Sequence, residues 1–368
     1  MNPHERFQAC MRFQTVDRCP LQEWAPWGVT KTRWMNESGR DQDAVLSYLR
    51  DCDPECGTGV DFSMQPPFNE KTLSEDDETI VRMDRMGVTC REFKQNPETS
   101  MPEFIGFPVK SPADWKMIKH RFDPSTPGRY PADWNERVGA WKTEKPVLRY
   151  YGCVANYYGG PSLYGFVRML LGDERVLYAF YDEPNMVHDM METATEFLMA
   201  MLRKALQEAP VTFVQFWEDM CYRGGPLISP DMFRTFMMPR YKRITDLIRS
   251  LNVDIIFVDS DGKVDELIPL WLESGINGVF PMEQAAGNDI HVYRRKFGRD
   301  LLMTGGIDKR ALARGKAAID QELKDKLSLV DQGGYIPTVD HSIPPDVSFD
   351  NFCYYWKQKK RLLGMNNV

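Results

Sequence analysis

From residue 147 onward, short apolar runs alternate with helical stretches, and this alternation constrains the fold more than any other feature of the chain. The runs are Val147–Cys153, Val211–Trp217, Val253–Val258, Gly278–Pro281, Leu301–Thr304 and Tyr335–Val339. Helix punctuation lies between them. Glu183-Pro184 opens a long amphipathic helix to about Glu208, and Ser229-Pro230-Asp231 caps one reaching about Leu251. Asp308 caps Lys309–Arg314, and a further helix to Val330 is closed by Gly333-Gly334. Strands alternating with helices predict right-handed βαβ units and a parallel sheet. Leu21–Trp24 and Gly59–Ser63 are two earlier strand candidates, and eight strands predict an α/β fold of the (β/α)8 TIM-barrel type. No Gly-x-Gly-x-x-Gly follows any run, which disfavours a doubly wound dinucleotide fold.

The chain opens with a helix signature. Asn2 is placed to cap, Pro3 takes the first helical position, and Phe7, Cys10 and Met11 follow at helical spacing. Residues 41–52 read as another helix. Residues 64–146 are different in character, with Pro66-Pro67, the acidic Glu75–Glu78 stretch and scattered prolines. Thr79–Met83 and Val88–Phe93, split by Asp84-Arg85-Met86-Gly87, predict a β-hairpin there. The region lacks a long apolar period of its own. It is expected to be an inserted excursion between the second and third strands of one domain spanning residues 1–368.

With 46 basic and 53 acidic side chains, the formal net charge is −7. That argues against nucleic acid as a partner and against docking on anionic lipid. No apolar stretch is long enough to span a membrane, and the N-terminal residues lack a signal-peptide core. A cytoplasmic location is expected, so the 8 cysteines are read as thiols. Of the 9 Trp, 15 Tyr and 20 Phe, many are expected in the core, and a surplus can also line a ligand pocket.

In a barrel, chemistry gathers at the C-terminal ends of the strands. Those positions hold Glu23-Trp24, Asp61, Tyr150-Tyr151, Glu218-Asp219, Asp259-Ser260-Asp261, Glu283, Gly305-Gly306 and Asp340-His341. A helix N-cap accounts for any one of them, but convergence on one mouth makes several of them site residues. Asp259 and Asp261 stand at i and i+2 before Gly262. His341 is the one histidine of 5 at a predicted strand end. Two carboxylates and an imidazole form a candidate metal set. Glu218 and Asp219, beside Phe216 and Trp217, are candidates for acid–base work through a raised pKa, or for a salt bridge to Arg223. Gly305-Gly306-Ile307-Asp308-Lys309 is a candidate anion seat or a plain turn.

The opening ERFQACMRFQTVDRCP, the NYYGGP segment at 156–161, Gly225-Pro226-Leu227-Ile228-Ser229-Pro230, Gly305-Gly306-Ile307-Asp308 and Ile343-Pro344-Pro345-Asp346 together resemble the uroporphyrinogen decarboxylase superfamily. The resemblance covers nearly the whole chain and implies a (β/α)8 barrel. The superfamily contains haem-pathway decarboxylases and corrinoid-dependent methyltransferases. The decarboxylases carry an Arg-Gln-Ala-Gly-Arg segment after the first strand, where this chain has Glu23-Trp24-Ala25-Pro26-Trp27-Gly28. Their Phe-Ser-Asp segment is matched by Phe62-Ser63-Met64. Both departures point to the methyltransferase-like branch. That branch binds zinc through His-x-Cys and a later Cys, positions matched here by Asp259, Asp261 and His341.

The resemblance therefore implies a metal-dependent, methyltransferase-like enzyme acting on a small substrate at the barrel mouth. Asp259, Asp261, His341 and Glu218 would bind a divalent metal, with zinc foremost, and Glu218 and Asp219 would handle protons. Trp24, Trp27, Tyr157 and Tyr158 would wall the substrate, and Arg223, Lys309 and Asp340 would bind it. A corrinoid would come from a partner protein, and a homodimer is expected. Two alternatives stay open: decarboxylation of a carboxylated tetrapyrrole or aromatic, and a barrel that binds a ligand without catalysis.

Overall fold

The computed structural model describes residues 1–94, 102–151 and 161–365. Its centre is a seven-stranded sheet. β1 (Glu55–Gly57) is followed along the sheet by β6 (Val147–Tyr150), β7 (Phe213–Trp217), β10 (Ile256–Asp259), β11 (Gly278–Phe280), β12 (Leu302–Ile307) and β13 (Tyr335–Val339). Every neighbouring pair is parallel. Six of these strands lie on the apolar runs predicted for them.

The two N-terminal predictions need correction. Leu21–Trp24 forms no ladder, and the second strand is Glu55–Gly57 rather than Gly59–Ser63. Residues 21–27 instead touch both open edges of the sheet. The Leu21 carbonyl accepts from the Asp53 N–H at 2.8 Å, and Pro26 makes a lone parallel bridge to Ile343. Side chains complete the join. Glu23 accepts from the N–H groups of Trp24 (3.1 Å) and Val339 (2.9 Å), from the Tyr355 hydroxyl, and from Lys359 Nζ at 2.8 Å. The Glu23 and Lys359 side chains are both 0% exposed. Pro20 before the run and Pro26 within it remove N–H groups a ladder would use, and a buried ion pair takes its place.

Alternation along the strands sends every second side chain inward. Val147, Phe213, Phe257, Leu302 and Ile336 form one buried cluster with Phe7, Cys10 and Met11. These three residues belong to the helix Pro3–Met11, which closes the end of the sheet where the strands begin. Asn2 caps that helix through the Glu5 N–H, and Glu5 answers with a capping box, as the opening residues predict. Outward residues such as Val214, Phe216, Val258 and Ile256 pack in the main core with the long helix Pro184–Glu208.

Between β1 and β6 the chain leaves the parallel sheet. It builds an antiparallel sheet from β2 (Lys71–Glu75), β3 (Thr79–Met83), β4 (Thr89–Phe93) and β5 (Glu103–Gly106). The predicted hairpin is its centre, β3 pairing with β4 from Thr79↔Phe93 to Met83↔Thr89. Helices Pro112–Ile118 and Trp134–Glu144 follow, structure that the absence of apolar periodicity had hidden. A last, two-stranded hairpin, β8 (Cys221–Tyr222) and β9 (Gly225–Pro226), projects beyond β7.

Gly305 and Gly306 are not a helix-start seat: both lie inside β12 at φ +101° and +79°. A Cβ on Gly305 would come within 2.3 Å of the Pro281 carbonyl oxygen, so the close approach of β12 to β11 demands glycine. Asp308 caps the helix Lys309–Arg314 through the Arg310 N–H, as its position predicts.

Candidate active site

A cavity of about 650 Å³ opens inside the sheet. Glu55, Arg149, Gln215, Asp259, Phe280, Thr304 and Thr338 line it, one or two from each successive strand, and Trp24 closes the open seam. Strand alternation puts them there: Phe213 and Gln215 face in while Val214 and Phe216 face out. The signal for Gln215 and Thr338 was a polar residue in an otherwise apolar run, and only the strand register gives it direction. Arg149 Nη1 donates to Gln215 Oε1 at 3.1 Å, and Gln215 Nε2 donates to Asp259 Oδ2 at 3.1 Å. The Arg149 guanidinium also lies 3.3 Å from Glu55 and over the Tyr151 ring.

Above this belt, His341 Nε2 stands 3.3 Å from Asp261 Oδ2. The imidazole stacks between two indoles, Trp24 at 5.6 Å and Trp27 at 5.8 Å between ring centroids. Trp24 in turn stacks on Phe280 at 4.9 Å, and its buried Nε1 has no hydrogen-bond partner among the described residues. Burial pulls the His341 pKa down, but the hydrogen bond and charge of Asp261 outweigh it, so the imidazole is held above its ordinary value. The side chain keeps 22% exposure, enough to reach a ligand. Asp259 is driven well above the carboxylate range by burial and then by the charges of Asp261 and Asp219, against the weaker pull of Arg149 and Gln215.

The other expected site residues divide. Lys309 Nζ binds Glu283 Oε1 at 2.8 Å, and Glu283 Oε2 accepts from the Gly262 N–H, so Lys309 braces the mouth and is no anion seat. Asp340 is fully buried and accepts from the N–H groups of Gln284 and Lys309, at 2.8 and 3.0 Å; it ties two loops together and faces no substrate space. Asp219 pairs with Arg168 at 2.7 Å rather than with Arg223, which is exposed at the tip of the β8–β9 hairpin. Burial raises the Asp219 pKa. Tyr157 and Tyr158 lie outside the described residues.

Glu218 needs outright correction as metal ligand and proton carrier. It is 0% exposed and turned away from the cavity. Its oxygens accept from the N–H groups of Leu163 (2.8 Å) and Gly165 (2.9 Å), around the first turn of the helix Tyr164–Leu171, and from the Tyr241 hydroxyl. Burial pushes its pKa up to about 8 despite these donors. Below about pH 4.5 both folded and unfolded chains hold this proton. As pH rises from there to about 8, only the unfolded chain releases it, so stability falls across that window. Urea unfolding is expected to show wild type losing stability from pH 5 to 8 more steeply than Glu218→Gln; parallel slopes would refute this assignment.

The donor set for a metal does not assemble. Among the described residues, no three His, Cys, Asp or Glu side chains are grouped to hold an ion. Asp261 and His341 meet, Asp259 is engaged by Gln215, and Glu218 points elsewhere.

A model of the family described as uroporphyrinogen decarboxylase (URO-D) matches residues 167–361. The uroporphyrinogen decarboxylase of Hordeum vulgare is 22% identical over 229 residues, 60% of this chain and 64% of that protein, so the match spans less than two thirds of the barley enzyme. That of Myxococcus xanthus is 24% identical over 282 residues, 74% of this chain and 72% of that protein. Among solved structures, a methyltransferase from Methanosarcina mazei superimposes with a TM-score of 0.60 at 16% identity, covering 98% of this chain and 99% of that one. At that identity the likeness speaks to the fold.

Proposed function

This chain belongs to the uroporphyrinogen decarboxylase family, and from that premise we propose that it is a methyltransferase-like member acting on a small substrate at the C-terminal ends of its strands. The proposal reads the fold as the family's (β/α)8 barrel in one domain over residues 1–368. Residues 21–27 stand at the place of the missing strand, and 64–146 form the insertion. It reads the enzyme as cytoplasmic and its cysteines as thiols.

The observation that carries the proposal is the Asp261–His341 pair, held between Trp24 and Trp27 over the cavity. Removing a methyl group from oxygen or sulfur breaks a carbon–heteroatom bond, and the departing heteroatom needs a proton. The methyl group goes to a nucleophilic acceptor, read here as a corrinoid carried by a partner protein. His341 is placed to give the proton, and Asp261 to orient the ring and stabilise its charged form. Trp24, Phe280 and Tyr151 give the substrate an apolar wall. Among the described residues, the expected metal donors do not converge.

Decarboxylation of a porphyrinogen fits less well. Among the described residues, Arg50 and Arg149 are the only cations lining the cavity, against the carboxylates Glu23, Asp53 and Glu55. A substrate bearing many carboxylates needs matching cations. The test supplies purified protein with O- and S-methylated small aromatics and a reduced corrinoid protein, in parallel with uroporphyrinogen. Demethylated product with a methylated corrinoid spectrum is expected. Loss of carboxylates from uroporphyrinogen, without methyl transfer, would overturn the reading.

A further inference from the structure

Most of the charged groups around the barrel cavity are closed to a ligand. Glu23 is sealed against Lys359 with neither side chain exposed, and Asp53 is held by Arg6 and Arg18 with its own side chain 4% exposed. Arg50, at the outer edge, donates to the Asp43 carbonyl. Arg149 and Glu55 are different. They stand on the adjacent strands β6 and β1, and their side chains keep 28% and 26% exposure while lining the cavity.

The two are neighbours without satisfying each other. Arg149 Nε lies 3.3 Å from Glu55 Oε1 yet makes no hydrogen bond among the described residues. Its Nη1 donates to Gln215 Oε1, and Nη2 donates to nothing among the described residues. Gln215 is itself locked by a second bond, from Nε2 to Asp259 Oδ2, so the guanidinium is held in place with one N–H edge open. Glu55 Oε2 accepts from Gln22 Nε2 at 2.6 Å, which leaves Oε1 without a hydrogen-bond donor among the described residues. Burial raises the Glu55 pKa against the pull of Arg149, so the guanidinium alone does not make up for the water the carboxylate has lost.

This pair restricts what can dock. A ligand bearing only a negative charge would reach Arg149 and meet Glu55 beside it, and one bearing only a positive charge would reach Glu55 and meet Arg149. A ligand with both charges on neighbouring atoms gives each side chain a partner, and the four charges alternate in sign. We propose that Arg149 and Glu55 select a zwitterionic substrate, one carrying an ammonium and a carboxylate side by side as an α-amino acid does, with the methylated oxygen or sulfur on its side chain. This rests on the methyl-transfer reading of the same cavity and narrows its substrate. Arg149 takes the carboxylate through Nη2, and Glu55 takes the ammonium through Oε1. Trp24 lines the same cavity and stacks on His341, so the ligand's side chain has a wall to follow from the ion pair towards the proton donor.

Titration calorimetry on the full chain tests this without any corrinoid. The probes are S-methyl-L-cysteine and O-methyl-L-tyrosine, which bracket the side-chain size. Each is set beside its analogue lacking the amino group and its analogue lacking the carboxylate. At least one amino acid is expected to bind about 10-fold or more tighter than both of its analogues. In Glu55→Gln the advantage over the deaminated acid should collapse, and in Arg149→Met the advantage over the decarboxylated amine, with thermal melts showing both variants folded. If a variant does not fold, the wild-type comparison still decides. Neither amino acid outbinding its analogues, or an advantage unchanged in either folded variant, would overturn the proposal. Methyl-transfer assays with the same probes separate it from the reading it rests on. Selective binding with no methyl transferred upholds the ligand class and overturns methyl transfer. Transfer from uncharged methylated aromatics, with no preference for the amino acids, upholds methyl transfer and overturns the ligand class.

Discussion

On the methyl-transfer reading proposed above, replacing His341 with alanine is expected to lower turnover by about 10²- to 10⁴-fold, the range typical of losing a positioned acid–base group. The fold should survive. His341 keeps 22% side-chain exposure and contributes ring stacking and one contact with Asp261, with no buried partner left behind in the core. Binding of the methylated substrate should weaken far less than turnover, because Trp24, Phe280 and the Arg149–Gln215–Asp259 belt remain. Steady-state kinetics separate the two effects. Asp261→Asn supplies the second arm. It removes the charge that holds the imidazole above its ordinary pKa, so the alkaline limb of the rate profile should move to lower pH. An alanine variant with wild-type turnover would end the assignment of His341, and an unmoved alkaline limb would end that of Asp261.

The largest stability effect is expected at Lys359→Met. Its ammonium is fully buried against Glu23 and also donates to the Gln22 carbonyl at 2.8 Å. Removing one member of a buried pair leaves the other charge uncompensated, at a cost of about 3–5 kcal/mol. Glu23 also receives the Trp24 and Val339 N–H groups, so the loss should reach the indole that stacks on His341. Urea unfolding would measure the first consequence and turnover the second. Pairing the change with Glu23→Gln should recover part of the stability, since no buried charge then lacks a partner. A double variant no more stable than Lys359→Met alone would show that the pair's electrostatics are not what holds the seam.

Most of the parallel sheet was legible because its strands are nearly continuous apolar runs set between capped helices. The residues around 21 and 59 were not, for a physical reason. Strand Glu55–Gly57 is three residues with no apolar run, and 21–27 is held by side chains and a lone bridge, which leave no period in the sequence. The mouth was legible as a set of strand-end polar residues, and Asp261 and His341 do meet. Sequence position could not separate groups that face the cavity from groups that cap helices. Glu218 and Asp340 both follow strands, yet one serves the helix Tyr164–Leu171 and the other the loops at Gln284 and Lys309. Lys359 was invisible: a lysine in a basic last turn reads as surface, and only the packing reveals it beside a carboxylate 336 positions earlier.

That separation orders events during synthesis. A ribosome delivers Glu23 336 positions before Lys359, so through that interval of translation the carboxylate has no ammonium to meet. The parallel strands can assemble behind it, but the seam cannot be fastened until the helix Phe349–Leu362 leaves the exit tunnel. Nascent chains stalled before residue 359 should therefore expose an unclosed edge to chaperones and proteases, while chains that have passed that residue can close it.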